Sequence, residues 1–200
     1  YLSLPGYQAA SKETAANDAL LVGHLPVAAT LDDLWASNQT EVAHVEEFVK
    51  ALMREFGRVT SSNTEEYLAF VRERAPDVAA RVKENGISVT STLALVNSFA
   101  DQIVDIEPTL QSVQLEYVNP GVAEGLAMGW LPDMNRYRIP DDFKTDDWEQ
   151  RYTRYWSAYA EAQDILFKAF LAEDVELFAG TDANVPVMVP GCALVWLGFL

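Results

Sequence analysis

Apolar residues along this chain follow two patterns, brief continuous runs and longer stretches with a spacing of three or four. Short continuous runs suit strands buried on both faces of a parallel α/β sheet, and the three-to-four spacing suits amphipathic helices. Leu4 to Asn17 predicts a short helix with Pro5 in its first turn, where a missing N–H costs little. Ala19-Leu20-Leu21-Val22-Gly23 predicts a strand that ends at His24 and is stopped by Leu25-Pro26. Thr30-Leu31-Asp32-Asp33 reads as a capping box that opens a helix to about Ser37. Glu41-Val42-Ala43 predicts a second strand, ending at His44.

Val45 to Phe56 predicts a helix with Val45, Phe48, Val49 and Leu52 on one face. Ser62 to Ala75 predicts another, stopped by Pro76, and Asp77 to Asn85 a further one closed by Gly86. Ile87 to Leu95 is rich in β-branched residues and predicts a third strand. The pattern weakens between Val96 and Thr145, where Asn119-Pro120-Gly121 and Arg138-Ile139-Pro140 read as loop. A long helix follows from about Asp146 to Ala172, with Trp148, Tyr152, Tyr155, Tyr159, Ala162, Leu166 and Phe170 on one continuous face. Val175 to Ala179 predicts the fourth strand, running into Gly180-Thr181-Asp182. Strands that alternate with helices argue for a parallel α/β fold in one domain.

The strand ends carry the candidate chemistry. Catalytic groups of a (β/α)8 barrel come from the C-terminal ends of different strands, and His24, His44 and Asp182 all occupy such positions here. Neutral imidazole and carboxylate are suitable ligands for zinc and similar divalent ions. Taken singly, each has a plainer reading: a lone histidine is usually structural or exposed, and an aspartate after a strand is usually a turn residue or helix cap. The combination weighs more, because the chain has 2 histidines and both follow short apolar segments that lead into helices.

Composition narrows the function classes. Thirty acidic against 14 basic residues give a net charge of -16, which disfavours nucleic acid and anionic membrane surfaces as partners. No stretch approaches the roughly 18 apolar residues of a membrane span, so none is expected. A single cysteine, Cys192, forbids an intrachain disulfide and suits a reducing compartment without excluding export.

Three local sequences bear a family likeness. Leu21-Val22-Gly23-His24-Leu25-Pro26 resembles the strand-five signature of the amidohydrolase superfamily, in its imidazolonepropionase-like and Xaa-Pro dipeptidase-like branch. Glu41-Val42-Ala43-His44-Val45-Glu46-Glu47 resembles that branch's strand-six histidine segment, and Phe178-Ala179-Gly180-Thr181-Asp182-Ala183-Asn184 its strand-eight aspartate segment, continued by Val189-Pro190-Gly191. The resemblance implies a partial (β/α)8 TIM barrel, comprising strands five to eight with helical insertions, across residues 1–200. It implies a site for one or two divalent ions, zinc above all, with His24 and His44 as ligands of one and Asp182 as ligand of the other and catalytic base. The implied reaction is hydrolysis of an amide, peptide or cyclic amide C–N bond in a small molecule.

The chain also departs from that family. A His-x-His pair on strand one and a carboxylated lysine on strand four are absent, and Tyr1 falls just after the place where that lysine would lie. The expectation is a longer parent that holds the activity, with this chain inactive alone. Cys192 to Leu200, free of charge, replaces the histidine and amphipathic helix that relatives place there. Arg136 and Arg138, with Tyr137 between them, are candidates for binding a substrate carboxylate; the plainer reading is solvated arginines. Thr90 and Thr92, near the third strand's mouth, could line a pocket or simply be strand residues. The aromatic face of the long helix should pack on the barrel wall or on a neighbouring subunit, which leaves a homo-oligomer open. The alternative function is a non-catalytic, degenerate half-barrel that serves as a binding or scaffold protein.

Overall fold

The computed structural model describes residues 2–93, 96, 108 and 145–180. The chain divides into two compact units, Tyr1–Thr92 with Ala158–Gly180, and Leu93–Ser157 with Thr181–Leu200. The first unit is mixed α/β. Its elements are α1 (Leu4–Ala16), β1 (Leu21–Gly23), α2 (Leu31–Trp35), β2 (Gln39–Val42), α3 (Val45–Phe56), α4 (Thr64–Glu84), β3 (Ser88–Ser91), the C-terminal part of α5 (Trp148–Ala172) and β4 (Leu177–Ala179). The strands form one four-stranded sheet in the order β1-β2-β3-β4, and every pairing is parallel. Among the described residues β1 and β4 are its edges.

For parallel strands in sequential order, crossovers of the usual right hand place the connecting helices on one face of the sheet. Three helices meet there. Tyr67 of α4 donates from its hydroxyl to the Val49 carbonyl of α3 at 3.4 Å, and Phe48 of α3 meets Phe170 of α5 edge-on with centroids 5.1 Å apart. Val42 faces Val89 across β2 and β3, and both are fully buried with Val45, Phe48, Val49 and Leu52. Lys50 bridges Glu46 and Glu47 at 2.9 and 3.0 Å, and Glu46 accepts from the Tyr159 hydroxyl at 3.0 Å. Burial alone would pull the Lys50 ammonium down; the two carboxylates offset it, and the pKa is raised.

The opposite face carries Val22, Glu41, Ser88, Thr90 and Phe178: the register pairs Val22 with Glu41, Glu41 with Ser88 and Thr90 with Phe178, and Ser88 and Thr90 share a face by strand alternation. Thr90 Oγ1 donates to Glu41 Oε1 there at 2.6 Å. Val22 and Phe178 remain 55% and 45% exposed. The expected burial of strands on both faces therefore fails for β1 and β4. They are the outer strands of a small open sheet, and their short apolar runs do not distinguish an edge from a centre.

Other boundaries also moved. Thr30 caps α2 with the reciprocal Asp33 bonds expected, and α3 has the expected span. The two helices expected on either side of Pro76 are one helix, α4, with Pro76 inside it. Pro76 has no N–H for the Arg72 carbonyl, a defect of about 3 kcal/mol in a helix interior. The apolar face runs on in phase across it, from Tyr67, Leu68, Val71 and Ala75 to Val78, Ala79 and Val82, all buried. Burial of side chains this size, at about 1.5–3 kcal/mol for each large one, outweighs one broken turn. The third strand stops at Ser91, with Leu93 already helical.

In the second unit the described residues are mainly the start of α5. Arg151 pairs there with Asp147 at 3.1 Å, and Trp148 meets Tyr152 with centroids 6.1 Å apart. In α5 the expected aromatic face is buried only from Ala158 onward, with Tyr159, Ala162, Leu166 and Phe170. No described helix is long and apolar enough to cross a membrane.

Two substitutions check this packing. Pro76→Ala restores the missing bond at an exposed position, and it is expected to raise stability by about 1–3 kcal/mol in chemical denaturation. Gly180 presses on β3: a Cβ there would stand 2.5 Å from Thr90 Cγ2 and 2.9 Å from the Ser91 carbonyl. Gly180→Ala is expected to cost about 1–3 kcal/mol by the same measurement, as overpacking does.

Candidate functional site

The site is built from the register of β1 and β2. Gly23, the last residue of β1, lies beside Val42, the last residue of β2. The Ala43 N–H then donates to the Gly23 carbonyl at 2.9 Å, and Gln39 Nε2 donates to the same oxygen at 2.8 Å. This clamp holds the residue before His24 against the residue before His44. Gly23 has φ +125°, a conformation that side chains other than glycine's rarely adopt. It lets the chain turn at the sheet edge, after which Leu25 is buried and His24 stays exposed.

His44 occupies the N-cap of α3 and makes no capping bond with its side chain. Ser, Thr, Asp or Asn is worth about 0.5–2 kcal/mol more than a non-capping residue at such a position. The imidazole is turned elsewhere: its Nε2 lies 2.9 Å from His24 Nε2, the rings meeting edge-on with centroids 4.6 Å apart. Two ring nitrogens at that distance need one N–H and one lone pair between them. His44 is 9% exposed, so one ring of the pair is buried and the other faces solvent. On the far side of His44, Nδ1 lies 3.1 Å from the hydroxyl of Thr92, which is 2% exposed.

Thr92 is the residue that sequence reasoning undervalued. It follows β3, as His24 and His44 follow β1 and β2, so the C-terminal ends of three adjacent strands contribute to one cluster. The available signal is that same rule of position, which marks Thr92 as a pocket-lining candidate but not as the partner of a histidine. Thr90 is a strand residue paired with Glu41.

Two of the three expected ligands are thus together. Asp182 lies outside the described residues, as do Arg136, Tyr137, Arg138 and Cys192; Gly180, two residues before Asp182, donates its N–H to Ser91 at 2.9 Å. Among the described residues no group of three His, Cys, Asp or Glu side chains could hold a metal ion. The donor pair itself fits a divalent ion. Tetrahedral zinc with Zn–N of about 2.0–2.1 Å sets two ligand nitrogens about 3.3 Å apart, so a small opening of the 2.9 Å pair would admit it.

A cleft of about 360 Å³ lies away from this cluster, between α1 and the α2–β2 turn, lined by Tyr7, Ser11, Lys12, Asp33 and Asn38 among others. The Tyr7 hydroxyl there donates to Gln39 Oε1 at 2.7 Å, and burial holds its pKa above the ordinary value. Gln39 therefore ties α1 to the carbonyl that organises the histidine pair.

Comparison of the chain with protein-family models, with curated proteins and with solved structures finds no match.

Proposed function

We propose that this chain is the C-terminal half of a metal-dependent hydrolase barrel, which cleaves an amide, peptide or cyclic amide C–N bond in a small molecule. The carrying observation is the approach of His24 and His44 to 2.9 Å at the C-terminal edge of a parallel sheet. Catalytic groups collect on that edge in barrels of this kind. The sequential order of four parallel strands is what four successive barrel strands would have. The net charge of -16 favours the arrival of a cation.

In this reading His24 and His44 hold a divalent ion, zinc above all, through Nε2. Such an ion polarises a carbonyl and makes water nucleophilic near neutral pH. Asp182 accepts the proton of the attacking water and passes it to the amine as the C–N bond breaks, a role open to a carboxylate beside the site. Arg136 and Arg138 are proposed to orient a substrate carboxylate, with Tyr137 beside them. The remaining strands, and the activity, belong to a longer parent. A second reading, a degenerate half-barrel acting as a binding or scaffold protein, draws on the open sheet and its exposed Val22 and Phe178.

Calorimetric titration with zinc separates the two. The hydrolase reading expects saturable zinc binding that His24→Asn and His44→Asn each weaken at least a hundredfold, and Asp182→Asn at least tenfold. Binding that is absent, or indifferent to both histidine substitutions, contradicts it and leaves the scaffold reading.

A further inference from the structure

We infer that Thr92 is the positioning residue of the histidine pair: its hydroxyl holds the His44 ring in one place in both neutral tautomers. The inference rests on the reading of His24 and His44 as metal ligands, and it adds a role for a residue that binds no metal.

The chemistry follows from three atoms in a row. Thr92 Oγ1 stands 3.1 Å from His44 Nδ1, and His44 Nε2 stands 2.9 Å from His24 Nε2. If His44 carries its proton on Nε2, that N–H donates to His24, and Nδ1 has a lone pair that accepts from the threonine O–H. If the proton is on Nδ1, it donates to the threonine oxygen, and Nε2 accepts from His24. A hydroxyl serves both arrangements because it donates and accepts. A carboxylate, the commoner partner of a metal-ligating histidine, is an acceptor alone and fixes one tautomer.

Holding a metal keeps the His44 tautomer of the second arrangement, with its Nδ1–H turned to Thr92, and needs His24 in its Nδ1–H tautomer as well, so that both Nε2 lone pairs face the ion. The pair can therefore pass from hydrogen-bonded to metal-holding by moving a proton between nitrogens, without reorienting a buried ring. Position supports this: Thr92 is 2% exposed and His44 9%, so little water is at hand to replace the hydroxyl. Gly180, just after β4, donates its N–H to the Ser91 carbonyl at 2.9 Å, which ties the residue before Thr92 to the neighbouring strand.

The test is the nitrogen-15 spectrum of the His44 ring in the metal-free protein, recorded about two pH units above the ordinary imidazole value of ~6.5. Thr92→Val removes the hydroxyl at nearly constant shape. The change takes from the His44 Nδ1–H the oxygen that stands 3.1 Å away, and losing an acceptor costs a donor more than losing a donor costs a lone pair, so the tautomer ratio should move toward Nε2–H by at least about threefold. Thr92→Ser should return it to the wild-type ratio. Zinc affinity should fall about 10–100-fold in Thr92→Val, as on loss of an outer partner, and recover in Thr92→Ser. An unchanged ratio in folded Thr92→Val, or a serine variant that behaves like valine, overturns the inference. If Thr92→Val does not fold, as circular dichroism would show, Thr92→Ala is read in the same way. A ratio that responds as expected in a protein that binds no zinc keeps Thr92 in its role and removes the metal from the site.

Discussion

The hydrogen bond from the Ala43 N–H to the Gly23 carbonyl is the constraint on which the site depends. It extends the β1–β2 ladder by one step beyond the strands and makes their next residues neighbours. Alone it is worth about 1 kcal/mol net, too little to position anything. Its strength comes from the core beneath it. Val42, Val45, Phe48 and Val49 have at most 1% exposure, so the turn from β2 into α3 cannot shift without opening packed volume, at about 2–5 kcal/mol per large side chain lost. The imidazole pair is thus a consequence of how α3 seats on the sheet.

Much of this was legible along the chain. The alternation of short apolar runs with helical spacing located the strands of the first unit and, apart from the break placed at Pro76, its helices, and the parallel α/β class follows from it. His24 and His44 stand out in the sequence because each ends a strand, and the fold brings them together. What escaped detection has physical causes. Pro76 reads as a helix end because it breaks a backbone bond, and only the continuing buried face from Ala75 to Val78 shows why the helix persists. The sequence carries the third strand past Ser91 because β-branched residues such as Thr92 suit strands, whereas the strand stops at Ser91. Exposure of Val22 and Phe178 depends on which strands lie at the sheet's edges, which no local pattern encodes. The resemblance to the amidohydrolases rests on three short segments. Two of them are the strand ends described here, and the third, around Asp182, lies beyond the described residues.

Local rules are broken at a few places, and these breaks fall near the cluster. A histidine stands at a helix N-cap and does not cap. Gly23 sits at positive φ immediately before the other histidine. Gly180 leaves no room for a side chain just where β4 delivers the chain toward Asp182. Sequences that fold well satisfy such rules where they can, and violations concentrate where function asks for them. Gln163 is a different case: it is fully buried, its amide has no hydrogen-bond partner among the described residues, and nothing in the structure explains it.

The central claim is that two imidazoles, distant along the chain, present their Nε2 atoms to one point. X-ray absorption spectroscopy at the zinc edge of the zinc-loaded protein reads this directly, since imidazole rings leave a characteristic outer-shell scattering pattern. The account predicts two imidazole ligands at about 2.0–2.1 Å, falling to one in either His24→Asn or His44→Asn. A spectrum with one imidazole or none in the unaltered protein would contradict it.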